Sequence, residues 1–264
     1  MYHPPVLGIL KLYASTAALA ARRGAKAWPV AFSLVLYAAI ILLAQRLVAP
    51  LGRAGGFVLG FVMAGCFSSY IHLISVVVAG AKLKLADLKS SFGARFWDVV
   101  SVLFAFWVID FAVGYVVAPA AGEKAPIVSA LVGLAMAVFF NPVPELLYQG
   151  QTRSFQLLFE SGRFISKHGL EWLLPNILAA AVLLAPLGLL HGPAGQIVLT
   201  VATLLSPAND GMGLFNLFAR APLVLEIPML LFVHWLMVFR GLLFAGLMSG
   251  GARRQTVESI WGRK

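Results

Sequence analysis

The sequence predicts an all-α fold, a polytopic membrane bundle of about six transmembrane helices. Its suggested plan is an amphipathic helix plus a helical hairpin, used three times. Three observations carry the prediction. Of 264 residues, 61% are hydrophobic and only 11% charged, whereas soluble domains carry about 45–50% apolar and about 25% charged residues. The apolar residues are gathered into runs long enough to cross about 30 Å of hydrocarbon at about 1.5 Å per residue. The basic residues sit in short clusters between those runs, the pattern of membrane loops that face anionic headgroups. A soluble fold of this length could not bury so much apolar surface, so lipid is its expected solvent.

The spans fall at 28–49, 56–80, 99–118, 126–143, 172–190 and 223–248. They form one integral domain across residues 1–264, with an amphipathic segment at 1–27 and a basic tail at 249–264. The apolar piece at 197–205 is too short to span and runs into Ser206-Pro207-Ala208-Asn209-Asp210-Gly211. Residues 191–222 therefore read as an outer-face segment, interfacial or re-entrant. Residues 6–21 resemble a signal peptide in composition, but Lys11 interrupts them, and Arg22, Arg23 and Lys26 follow instead of preceding. That polarity reads as mature protein.

Orientation comes from Lys and Arg placement. Lys11, Arg22, Arg23 and Lys26, then Lys82, Lys84, Lys89 and Arg95, fall on one side together with Arg153, Arg163, Lys167, Arg253, Arg254, Arg263 and Lys264. Arg46, Arg53, Lys124 and Arg220 fall on the other, and Arg240 lies inside the last span. Fifteen against four places both termini in the cytoplasm, and the expected site is a bacterial inner membrane. The net charge of +10 is thereby explained without nucleic acid, since no basic stripe interleaved with aromatics exists. Cys66 is the single cysteine, so no internal disulfide forms and it reads as a small packing residue.

Each odd-numbered span follows a similar local signature: Gly24-Ala-Lys-Ala-Trp28, Gly93-Ala-Arg-Phe-Trp97 and Gly169-Leu-Glu-Trp172. Recurrence at a near-fixed period marks a repeated unit, although tryptophan and basic residues also recur at any membrane boundary. The leading segments are amphipathic. Lys11, Ser15, Arg22 and Lys26 share one face, and Arg153, Gln156, Glu160, Arg163 and Lys167 another. Opposite the second lie Phe155, Leu158 and Phe159. Such helices fit the headgroup layer or a docking surface for a cytoplasmic partner.

Ionisable groups at membrane depth are default functional candidates, since each costs about 2.5–3.5 kcal/mol to insert. The candidates are Asp110 in span three, His72 in span two, His234 and Arg240 in span six, Glu226 at its start and Glu145 after Asn141-Pro142-Val-Pro144. Depth arithmetic puts Asp110 about 16 Å above the inner boundary, Arg240 about 12 Å and His234 about 21 Å. Asp110 could therefore meet Arg240 or His234, and an Asp110–Arg240 pair is the expectation. Pro142, Pro144, Pro175, Pro186 and Pro228 lie in or beside spans, where kinks are tolerated. Gly56 with Gly60, and Gly246 with Gly250, permit close helix approach.

No Gly-x-Ser-x-Gly elbow, HExxH pair or P-loop occurs. The five histidines are scattered, with only His168 near a carboxylate, Glu171. No metal or other cofactor is expected, and an intramembrane enzyme is the third-ranked reading.

With amphipathic helices placed before paired spans, one stretch carries a family resemblance: Phe155-Gln-Leu-Leu-Phe-Glu-Ser161-Gly-Arg-Phe-Ile-Ser-Lys-His-Gly-Leu-Glu-Trp172. It resembles the loop before span five in bacterial six-span proteins of the glycerophosphodiester phosphodiesterase membrane-domain type. The resemblance implies the hairpin arrangement and no active-site residues; the catalytic domain is not in this sequence. The chain is also similar to ABC-2 type permeases, with residues 5–26, 84–98 and 191–222 in the places of an N-terminal helix, a coupling segment and short outer helices. The long amphipathic fourth loop departs from that pattern. Two functions follow as expectations. The first is a non-enzymatic subunit or assembly factor of a larger membrane complex, with membrane lipids and protein partners. The second is a permease for a lipid-like or hydrophobic substrate, with a cytoplasmic ATPase as partner.

Overall fold

In a computed structural model, residues 6–149, 155–184 and 223–261 are described. The outer-face segment 191–222 lies outside them. The described residues are helical throughout the elements that follow, and four stretches are long and apolar enough to cross a membrane: Trp28–Leu51, Ala54–Val78, Phe96–Gln149 and Ile227–Gly250.

Helix α1 (Val6–Lys26) ends one residue before α2 (Trp28–Val48). The break is at Ala27, whose φ of −101° and ψ of 26° leave the helical region, and Pro29 starts α2 where a missing N–H costs nothing. A single 3₁₀ turn, Ala49–Leu51, leads to Gly52, and α3 (Arg53–Val78) returns beside α2. After α4 (Leu85–Ser91), whose first turn is capped by Asp87 Oδ2 accepting from the Lys84 N–H at 2.7 Å, α5 (Phe96–Ala112) begins at Arg95. It continues through a π turn (Val113–Val117) into the short α6 (Ala118–Ala121). Gly122 then reverses the chain into α7 (Ala125–Phe139). Phe106 of α5 meets Phe140 just beyond α7, with ring centroids 5.4 Å apart. The apolar stretch Phe96–Gln149 is thus two antiparallel legs, not one rod. Next come α8 (Val143–Gln149), α9 (Gln156–Leu184), kinked at His168, and α10 (Leu223–Trp261). Helix α10 runs on through the basic segment expected as a separate tail.

Two features recur along this chain. Ala27, Arg95 and His168 each leave the helical conformation just before an apolar helix, with φ/ψ of −101°/26°, −129°/19° and −129°/19°. At the tips of the first two hairpins Gly52 and Gly122 have φ of 54° with ψ of −128° and −124°. A Cβ is strained in that conformation, which is why glycine stands there. Gly52→Ala is expected to destabilise the folded chain by about 1–3 kcal/mol, read as a lowered unfolding midpoint in detergent. The tryptophans of the sequence signature, by contrast, are not equivalent. Trp28 and Trp97 are 58% and 72% exposed, whereas Trp172 is fully buried.

Helix α1 departs from the expectation that it lies apart in the headgroup layer. It packs antiparallel along α10, with Leu12 near Gly246 and Gly24 near His234. Trp235 Nε1 donates to the Ala17 carbonyl at 3.4 Å. Ala17, Ala20 and Gly24 form a strip of small residues that allows this approach. Helix α3 is the hub: 56% of its apolar window is buried, and it contacts α2, α4, α5, α8 and α10. The core gathers Ile71, Ile74, Trp172, Val238 and Leu243. Helix α2 sits at the margin, with only 6% of its most apolar 18 residues buried, and the most apolar 18 residues of Phe96–Gln149 are 17% buried.

Candidate functional site

The chain leaves α7 through Asn141-Pro142, and α8 then folds into the bundle against α3, α9 and α10. Val143, Leu146, Leu147 and Tyr148 are buried there, and so is Glu145, with no exposure at all. A carboxylate in such a place needs a charged partner. Arg240 of α10 supplies it: Nε donates to Glu145 Oε1 at 2.7 Å, and Nη2 donates to Oε2 at 2.9 Å. The same Nη2 donates to the Asn141 carbonyl at 2.6 Å. This is the planar fork that suits arginine and not lysine.

Trp172 closes the site. Its ring lies under the guanidinium, 5.2 Å from Cζ to ring centroid, a cation–π contact strengthened by desolvation. Its Nε1 donates to Asn141 Oδ1 at 2.8 Å, and its faces and edges meet Phe164 and Phe244. Gln149 Nε2 donates to the Gly241 carbonyl at 2.7 Å. A side chain at Gly241 would strike the Tyr148 hydroxyl and come within 2.6 Å of Val78, so glycine is what lets α8 lie against α10. The result ties α8, α9 and α10 together around one buried charge pair.

This corrects the expected Asp110–Arg240 pair: Arg240 is bound to Glu145. The depth estimate failed because α7 stops at Phe139 and the Asn141–Pro144 turn sends α8 inward, carrying Glu145 to the level of Arg240. Asp110 is half-buried on α5. His234 is buried against Gly24 of α1. His72 is half-buried on α3, and its carbonyl accepts from Ser75 Oγ at 2.6 Å. Glu226 lies in the first turn of α10, and its side chain is outside the described residues. Two of the six candidates, Glu145 and Arg240, are brought together by the structure.

Sequence reasoning missed a second polar cluster. Tyr37 Oη, Ser69 Oγ and Ser91 Oγ form a hydroxyl chain with steps of 2.6 and 2.5 Å linking α2, α3 and α4. Ser68 Oγ accepts the Arg95 backbone N–H at 3.1 Å, and Arg23 donates to the Val78 carbonyl. The Ser68-Ser69-Tyr70 triplet inside an apolar span was the available signal. Near α1, Tyr13 Oη donates to the Glu171 carbonyl at 2.8 Å. Burial, helped by the Glu171 charge, holds this phenol above its ordinary 10.0. Folding therefore favours the protonated phenol. Its contribution is complete below pH 10 and is lost as pH rises through the folded value. The expected result is a fall in the unfolding midpoint above pH 10 that Tyr13→Phe diminishes.

Chemically the site is closed. An arginine keeps its proton under all ordinary conditions, and its Nε and Nη2 already donate to Glu145 and the Asn141 carbonyl. Among the described residues, no three His, Cys, Asp or Glu side chains come together to hold a metal ion.

No protein-family model matches the chain, and no curated protein or solved structure is significantly similar to it. Its class rests on its own architecture: a protein whose described residues are all-helical, with four apolar stretches long enough to cross a bilayer, is a helical membrane protein in contact with lipid.

Proposed function

We propose that the chain is a non-enzymatic, six-span protein of a bacterial inner membrane that acts as a subunit or assembly factor of a larger membrane complex. One observation carries the reading: in two of the four apolar stretches the most apolar 18 residues scarcely bury themselves in their own fold, at 6% and 17%. Helix α2 turns Phe32, Leu36, Leu43 and Leu47 outward, and α5 with the π turn after it turns out a ladder of ring contacts, Phe104, Trp107, Phe111 and Tyr115. Exposed aromatic and aliphatic faces of this extent suit helix–helix association in lipid. The Glu145–Arg240 pair supports the same reading, because it is fully engaged in holding helices together.

The six-span count adds to the four stretches the fold-back at Gly122 and the apolar second half of α9. A threefold repeat is supported by the helix breaks at Ala27, Arg95 and His168 and by the paired glycine turns. The tip sequence Val48-Ala-Pro-Leu-Gly52 is echoed at Val117-Ala-Pro-Ala-Ala-Gly122 and again in the residues Leu184-Ala-Pro-Leu-Gly188. A second reading, the permease with a partner ATPase, is favoured by one feature: the segment between α3 and α5 presents Lys82 and Lys84, and then Lys89 of α4, to solvent.

Affinity purification from native membranes in mild detergent, with mass spectrometry of what co-purifies, tests the proposal. Stoichiometric membrane subunits that are lost on Leu43→Arg are the expected result. A stoichiometric ATPase would replace this reading with the permease, and a chain that emerges alone would overturn both.

A further inference from the structure

Between α5, α7 and the first half of α9 runs a groove of about 430 Å³, lined by Ile109, Met136, Phe139, Leu158, Phe159 and Gly162 among other apolar residues. Ile109, Met136 and Phe139 belong to the apolar stretch Phe96–Gln149, so the groove faces hydrocarbon. Gly162 gives it depth: a side chain there would meet open space. An open apolar groove in a bilayer fills with hydrocarbon, because water has no bonding partners in it.

Charge says which hydrocarbon. On α9 Arg163 stands next to Gly162 and one turn beyond Phe159, and Lys167 one turn further, both exposed. Arg163 Nη1 donates to Glu160 Oε1 at 2.8 Å, and the arginine side chain is still 72% exposed, which leaves its other N–H groups facing outward. Basic side chains at the edge of a cleft between membrane helices are the arrangement that holds lipid phosphate.

We propose that this groove is a site for a phospholipid of net negative headgroup, with one acyl chain between α5, α7 and α9 and the headgroup phosphate at Arg163 and Lys167. The proposal needs only the membrane character of the fold and is independent of the subunit reading. Glu160 moderates it by competing with the phosphate for Arg163.

The test is native mass spectrometry of the delipidated full chain, titrated with phosphatidylglycerol and separately with phosphatidylcholine. One phosphatidylglycerol per chain should bind in preference to phosphatidylcholine. Arg163→Ala and Lys167→Ala should each weaken it about fivefold, and Glu160→Gln should strengthen it. Gly162→Leu should remove both lipids with the unfolding midpoint retained; if that variant does not fold, Ala135→Phe fills the same groove. Equal binding of the two lipids, or undiminished binding by the filled variants, would overturn the proposal. So would a photo-crosslinker at Phe159 that attaches to protein and not to lipid in native membranes.

Discussion

Glu145→Ala will destabilise the folded chain by about 3–5 kcal/mol, the usual cost of leaving one member of a buried ion pair without its partner. The Arg240 guanidinium would keep its charge and lose both carboxylate oxygens, with only the Asn141 carbonyl left to accept from it. Arg240→Ala should cost a similar amount, because Glu145 is completely enclosed. The double variant Glu145→Leu with Arg240→Met should recover most of the loss, since apolar replacement of a whole buried pair is often close to neutral. Unfolding in detergent, followed as a double-mutant cycle, reads the coupling. Asp110→Asn should leave that coupling unchanged. Additivity of Glu145→Ala and Arg240→Ala within about 0.5 kcal/mol would mean the pair does not hold the helices.

The second large effect is expected at Trp172. Trp172→Ala should cost about 3–5 kcal/mol, because a fully buried indole leaves a cavity between Phe164 and Phe244 that rigid helices cannot close. Trp172→Phe keeps most of the volume but loses the bond to Asn141 Oδ1, for a cost of about 1 kcal/mol. The two variants separate packing from hydrogen bonding. Unfolding midpoints that fall equally for both would show that the bond to Asn141 dominates.

Much of the fold was legible because its cause is one-dimensional. Apolar run length marks helices that meet lipid, so the starts of α2, α3 and α7 lie within three residues of the expected spans. Azimuth is not written in that pattern. Run length and depth could suggest that Arg240 needs an acidic partner, but not which helix face turns toward it. Asp110 looked suitable because it sits mid-span, whereas Glu145 looked like a boundary residue after two prolines. In fact Pro142 and Pro144 are the reason α8 turns inward. Likewise α1 read as interfacial from its basic face, while Ala17, Ala20 and Gly24 carried the information that it packs closely on α10. The tip sequence Ala49-Pro-Leu-Gly52 was a clearer mark of a hairpin tip than the tryptophans were, since its glycine is required by backbone geometry and the tryptophans are free to be exposed or buried.

The subunit reading is tested most directly by a photo-crosslinking residue placed at Leu43, on the outward face of α2, in cells that express the chain at native level. A single discrete protein adduct at that position, absent when the same residue is placed at buried Tyr37, is the predicted result. Labelling of lipid alone at Leu43, with the fold intact, would contradict it.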